Sequence, residues 1–534
     1  MSLTFNIPRS TYLERHARPS SWYSSRVDVT TEILIKGGLS LAALIVVALR
    51  HLRPGKLEAE RAGPLLIMMA VVSVMAYTNF GRLHGQSGIH HWEQFHYFLG
   101  SKYFPEVRYD GLYVASLTAE RELNLGIRRQ SHVRDLRTNE VIPSTGLDNH
   151  MRQVKQRFEP HRWKAFVDDT RYFLSTRDYR YITSIRKDHG YNPTPTWTFT
   201  ARLFSRWLPA TDGWLSALAW IDPILLGAMF WMIFRTYGGR VGCLALIVFG
   251  LGYPWRFDWV GGAFLRQDWL AAVGMSICLM RRERFGLAGG LIAYATMVRV
   301  FPGGFLVGPA VIAVRYLLHR RPAGWFLRLA AGFAIGILAC VLAGSLTGIG
   351  FDAWPEFSHN LEKHHDTWLT NNVGLKNVLL YDRATVTRAD VRWNLPEPWL
   401  VWQEKMNRLQ SQRRPLLLTA SGALLLMTIG AAWRSRRDQA AVLGIAVAYG
   451  VVVLTCYYWV MLLLVPMGRG RWMPTAGWLA INAGLYGLHL LTPSFEMIYG
   501  VMSLALLVFF VAWLGPDAWK TVRSRSADAG GHTE

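Results

Sequence analysis

Apolar runs close to membrane-spanning length recur along this chain: Pro64–Tyr77, Leu215–Phe234, Val241–Tyr253, Leu329–Leu346, Leu416–Trp433 and Val501–Leu514. In hydrocarbon every backbone N–H and C=O must be satisfied within the protein, so repeated runs of this kind leave helices as the natural solution. Ile33–Leu49 is a further run, interrupted by Lys36, Gly37 and Gly38. The pattern predicts an all-α polytopic membrane protein with about 12 or 13 transmembrane helices. The 534 residues are 51% hydrophobic. Mean hydropathy is nonetheless only +0.15, because two polar stretches, Gly81–Asp212 and Thr347–Arg414, dilute the spans.

The net charge of +22 could suggest a nucleic-acid partner, but its placement argues for a lipid bilayer instead. Basic residues gather in short connections: Arg235/Arg240, Arg281-Arg282-Glu283-Arg284, His319-Arg320-Arg321, Arg434/Arg436/Arg437, Arg469/Arg471 and Lys520/Arg523/Arg525. They fall at alternate ends of consecutive runs, as cytoplasmic loops do. That phase puts both long polar stretches outside the cytoplasm. The expected layout is an N-terminal tail (1–30), first transmembrane helices (31–82), a long extracytoplasmic loop with juxtamembrane helices (83–212), a bundle (213–348), a second extracytoplasmic loop (349–414), C-terminal helices (415–515) and a cytoplasmic tail (516–534). Full insertion of Ile33–Leu49 would leave Arg9, Arg15, Arg18 and Arg26 outside, against the charge rule. The four cysteines, Cys243, Cys278, Cys340 and Cys456, lie in apolar runs and read as packing residues.

The stretch His90 to Phe104 follows the Pro64–Tyr77 run and carries the densest polar chemistry. Read as a helix, it puts Glu93, His96, Tyr97 and Gly100 on one face. Gly111–Glu122 and Pro160–Phe173 read as helices within the same loop. Arg266, Gln267 and Asp268 open another span, and Arg299 closes the next, before Pro302. In the phase above, these groups share the outer side with Glu93 and Asp110. Convergence of isolated charges from separate segments points to a polar site. The plainer reading has an aromatic-rich interfacial helix, an Arg266–Asp268 pair and an Arg299 that snorkels outward. Histidines at 90, 91, 96, 364 and 365 lack zinc-ligand spacing, so no metal is expected.

These residues resemble the polytopic GT-C glycosyltransferases, and among them the polyprenyl-phosphate-mannose-dependent α-mannosyltransferases (glycosyltransferase family 87). Glu93, Tyr97 and Gly111-Leu112-Tyr113 are similar to that family's acid, tyrosine and Gly-Leu-Tyr elements. Tyr191-Asn192-Pro193 is similar to its return to the membrane. Arg266-Gln267, Arg299-Val300-Phe301-Pro302, Asn372-Val373-Gly374-Leu375 and Tyr457-Tyr458…Leu463-Leu464-Val465-Pro466 follow in the family's order. The departures are Glu for Asp, Arg for Lys, and a longer first loop.

The resemblance implies transfer of a mannose-like hexose from a polyprenyl-phosphate sugar donor to an acceptor hydroxyl on a glycolipid, glycan or protein. No cofactor is implied, and the location is the bacterial inner (plasma) membrane with the site facing the periplasm or exterior. Such chemistry needs a carboxylate to take the hydroxyl proton and cations to stabilise the leaving phosphate. Glu93 is then the base, with Asp110 the second candidate. Arg299 and Arg266 hold the donor phosphate, with Lys102, His96, His364 and His365 as further contacts. Tyr97, Tyr191, Asn192, Gln267, Asp268, Asn372 and Tyr458 line the site. A transporter or flippase of a lipid-linked sugar is the rival from another class, and a non-catalytic scaffold is a third reading.

Overall fold

The computed structural model describes residues 29–52, 63–84, 88–125, 130–364, 367–381, 390–392, 394–470, 472–492 and 494–530. The structure is helical throughout apart from two small two-stranded antiparallel pairings. Six helical stretches among the described residues are long and apolar enough to cross a membrane: Thr30–Leu49, Asp212–Tyr237, Phe301–Leu318, Gly324–Gly344, Arg414–Trp433 and Phe495–Arg523. That is fewer than the 12 or 13 expected. Four shorter apolar helices, Pro64–Tyr77, Gly239–Leu251, Phe285–Arg299 and Cys456–Met467, add to these six. At 1.5 Å per residue, 14 residues rise roughly 20 Å, short of the ~30 Å hydrocarbon core. Several of these helices stop at Gly252-Tyr253-Pro254 or Val300-Phe301-Pro302, where glycine and proline break the ladder and the chain turns within the bundle.

The lysine in the first span is accommodated rather than exposed. Its helix, Val29–Leu52, buries Lys36, whose Nζ donates to Glu32 Oε1 at 2.8 Å and to Asn79 Oδ1 at 2.5 Å. Asn482 is a second buried polar tie: its Nδ2 donates to Ser40 Oγ (2.9 Å) and Leu251 O (2.7 Å), and its Oδ1 accepts from Tyr253 N (2.8 Å). One buried amide thus joins three segments. Elsewhere, small residues allow backbone contact. A Cβ on Gly289 would lie 2.1 Å from Leu329 O, and one on Gly332 would lie 2.0 Å from Gly286 O. The Phe285–Arg299 and Gly324–Gly344 helices therefore meet along a glycine seam, the usual device where lipid supplies no hydrophobic drive to pack.

The basic connections gather at one end of the bundle. Arg282 Nε donates to Thr236 Oγ1 (2.8 Å), Arg437 lies 3.5 Å from Glu283 and over the Trp325 ring, and Arg469 pairs with Asp517 at 3.3 Å. The two polar stretches dock on each other instead. Arg134 pairs with Glu397 (2.9 Å), Arg108 with Glu356 (2.6 Å), and Asn360 Nδ2 donates to Asn192 Oδ1 (2.9 Å).

Within the first stretch the expected helices form as Leu112–Leu123 and Pro160–Thr176. The hairpin pairing His132–Asp135 with Glu140–Pro143 was not read from the sequence. It carries a turn at Thr138-Asn139, with Asn139 in the left-handed region (φ 63°). The terminal helix continues past residue 516 through Pro516 to Gly530, so the expected tail begins as helix. The N-terminal arginines lie outside the described residues.

Candidate active site

The stretch after residue 90 is not one regular helix. His91–Gln94 is α-helical, Phe95–Leu99 makes a π-turn, and Gly100–Lys102 resumes the α-helix. His90 starts it: its Nδ1 accepts from Glu93 N at 3.3 Å. The wide turn separates residues that a regular helix would align. Glu93 and Tyr97 both reach Arg266, while His96 turns inward to Tyr113 Oη at 2.7 Å. Such turns are over-represented at functional sites. Gly100 is required by packing, since a Cβ there would lie 2.2 Å from the Tyr191 ring.

Arg266 Nε lies 2.9 Å from Glu93 Oε2, with the side chains 4% and 13% exposed. The approach is an ion pair without hydrogen-bond alignment, and Glu93 Oε2 is buried with no hydrogen-bond donor. Arg266 Nη1 donates to Tyr97 Oη at 2.8 Å. Its guanidinium also lies 4.8 Å over the Tyr97 ring and 5.2 Å over the Tyr457 ring. Its backbone is held by Asp222, a carboxylate that accepts from Arg266 N (2.9 Å) and Gln267 N (3.1 Å). Asp222, on a neighbouring helix, thereby fixes the two residues that lead into the Asp268–Arg281 helix.

Arg299 ends the Phe285–Arg299 helix. Its Nη1 donates only to the preceding carbonyl, Val298 O, at 3.2 Å, and Nε and Nη2 are buried without a hydrogen-bond partner. Arg299 is thus part-buried, with the Asp268 carboxylate as a charged neighbour and two nitrogens without a hydrogen bond. Each arginine has a strained apolar neighbour: Leu265 at φ 52° and the β-branched Val300 at φ 54°. Such backbone costs about 1–3 kcal/mol per residue and clusters at functional sites. Phe301 (4.9 Å) and Tyr458 (5.9 Å) pack on Trp269, which follows Asp268. Tyr294 Oη donates to Asp268 Oδ2 at 2.8 Å, so in place of the Arg266–Asp268 pair of the plainer reading stand Arg266–Glu93 and Asp268–Tyr294.

Tyr458 and Asn372, far apart in sequence, are joined by strand pairing. Asn372 pairs with Thr455 and Val373 with Leu454, and Cys456 N donates to Asn371 O at 2.8 Å. This pairing anchors the start of the buried 3-10 segment Cys456–Met467 beside the arginines. Tyr191 packs 6.3 Å from Tyr97, and its hydroxyl bonds to Thr198 Oγ1 at 2.7 Å. Asn192 donates from Nδ2 to His189 O at 3.0 Å. Gln267 is 5% exposed, and its Oε1 has no donor.

Other expected site residues are committed elsewhere. Asp110 accepts from Arg157 through both oxygens (2.8 and 3.0 Å) and from His150 Nε2 (2.9 Å), a structural clamp away from Glu93. Lys102 is buried against Asp169 (2.6 Å) and Leu208 O (2.7 Å), which commits its charge to a carboxylate within the fold. His96 is held by Trp92 O and Tyr113, and His364 packs edge-on to His189 at 5.8 Å. His365 lies outside the described residues. The sequence reading passed over Asp222 and left Tyr457 as a motif residue only. A lone acid opening an apolar run was the signal for Asp222.

Burial pushes the Glu93 carboxyl up, Arg266 opposes the shift, and the net position is above the ordinary carboxylate range. Asp110 is the opposite case. Burial alone would raise it, but the His150 and Arg157 hydrogen bonds hold it well below the usual range. The Asp110 clamp therefore stabilises the fold fully above the unfolded carboxylate pKa of about 3.9, and that contribution is lost as pH falls below it. Asp110→Asn should lower the melting temperature at pH 7 and make it less sensitive to acid between about pH 5 and 3, read by thermal unfolding in detergent.

Among the described residues no three His, Cys, Asp or Glu side chains are grouped to hold a metal ion. The site thus offers a buried carboxylate, one arginine paired with it, a second with two nitrogens lacking a hydrogen bond, and aromatic walls. Comparison with protein-family models, curated proteins and solved structures returns no match.

Proposed function

We propose that this chain is a GT-C-type membrane glycosyltransferase that moves a mannose-like hexose from a polyprenyl-phosphate donor to an acceptor hydroxyl. The acceptor is a glycolipid, glycan or protein on the extracytoplasmic face of a bacterial inner membrane. The observation that carries the reading is Arg299, with two buried guanidinium nitrogens lacking a partner in the site that holds Glu93. A buried cation with open N–H groups asks for an anion. A lipid phosphate at a helix end meets that need. The docked polar stretches and the opposite gathering of basic connections support a single outer face for the site.

In this reaction Glu93 takes the acceptor O–H proton and the acceptor oxygen bonds to the sugar's anomeric carbon. The bond from that carbon to the phosphate oxygen breaks, and the phosphate monoester leaves with the electron pair, stabilised by Arg299 and Arg266. Purified protein given radiolabelled polyprenyl-phosphate mannose and membrane-derived acceptors should transfer label to the acceptor fraction. Absence of transfer, with movement of the lipid between leaflets of proteoliposomes, would instead support the transporter.

A further inference from the structure

One arginine of the site is neutralised by a carboxylate of the same site. Arg266 is paired with Glu93 at 2.9 Å, whereas Arg299 keeps Nε and Nη2 buried and open. Arg266 is also held by Tyr97 Oη and lies over the Tyr97 and Tyr457 rings, contacts that do not depend on the carboxylate. Its main chain is held as well, because Asp222 fixes the N–H groups of 266 and 267. We infer that the Glu93–Arg266 pair is a latch opened by the ligand anion, which docks on Arg299 and draws Arg266 off the carboxylate. The ligand that does this is a tetrahedral oxyanion with at least two free oxygens, one for each arginine. The inference rests on the proposed phosphate role of Arg299.

The latch gives the site an order of events. Before the anion arrives, Arg266 faces Glu93 and weakens it as a base. Once the anion holds Arg266, the carboxylate is left facing the acceptor side, with the Asp188 carboxylate, bonded to Trp92 Nε1 at 2.7 Å, as a charged neighbour. The base is thus competent only when the donor is in place, which suppresses abortive deprotonation.

A latch taxes binding, because the anion must compete with Glu93 for Arg266. The test measures binding of farnesyl phosphate to the full-length protein in detergent micelles by isothermal titration. Glu93→Gln removes the competitor and should tighten binding roughly tenfold. Glu93→Asp, which keeps the charge but shortens its reach, should tighten it by a smaller factor and guards against a misfolded glutamine variant. In an Arg266→Gln background the gain from Glu93→Gln should vanish. An equal gain in that background would mean simple charge repulsion and would overturn the latch. So would unchanged or weaker binding in both Glu93 variants while Arg299→Gln still abolishes affinity. If Arg299→Gln leaves affinity intact, the underlying phosphate assignment fails, and the latch with it.

Discussion

Glu93→Gln should yield a protein that folds, binds a lipid phosphate at least as well as the parent, and turns over slower by a factor on the order of a hundred or more. The substitution preserves shape and removes only the proton acceptor. Three features support the proposed role of this carboxylate as base: its burial, its place beside Arg266 next to the π-turned segment, and a raised affinity for protons. Asp110 is the control. Both its oxygens are engaged by Arg157 and His150, so Asp110→Asn should cost stability and leave any per-molecule rate of folded protein near the parent's. Initial rates on purified, size-selected protein separate the two. A Glu93→Gln enzyme with parental turnover would remove Glu93 from the chemistry.

Arg299→Gln should lower affinity for a lipid-phosphate ligand by roughly a hundredfold, since each hydrogen bond to a charged group contributes about 1.5–3 kcal/mol and two guanidinium nitrogens are open. Arg299→Lys should keep part of that affinity as a point charge without the fork. Stability should not follow affinity. Two buried guanidinium nitrogens without a hydrogen bond are costly, so exchanging Arg299 for a neutral amide should change the melting temperature little. That combination, lost binding without lost stability, is what a residue kept for a ligand shows. Equal affinity across Arg, Lys and Gln would leave Arg299 with a structural role only.

Much of this could be read from the sequence, for identifiable reasons. Pro64–Tyr77 forms a helix with those bounds because it is uniformly apolar, begins with proline and ends where polar residues resume. Glu93, Tyr97, Arg266 and Arg299 could be nominated because ionisable groups at span ends are costly unless used. What could not be read was their pairing. Local spacing suggested Arg266 with Asp268, but Arg266 turns to a carboxylate more than 170 positions away because Asp222 and Leu265 fix its backbone. The π-turn was equally hidden, since an extra residue per turn leaves no periodic trace in nine residues. Lys102 and His96 looked available because the sequence does not show Asp169 or Tyr113 folding onto them. The number of spans was legible only coarsely: apolar content marks burial, and a buried 3-10 segment such as Cys456–Met467 is as apolar as the longer helices.

The central claim is that a lipid phosphate sits between Arg299 and Arg266 within reach of Glu93. An electron cryomicroscopy structure of the protein with bound polyprenyl phosphate tests it most directly. The account predicts phosphate density within about 3–4 Å of Arg299 Nη2 and of Arg266, with the Glu93 carboxylate moved off Arg266. Phosphate density elsewhere, with the Glu93–Arg266 pair intact and Arg299 still bare, would contradict it.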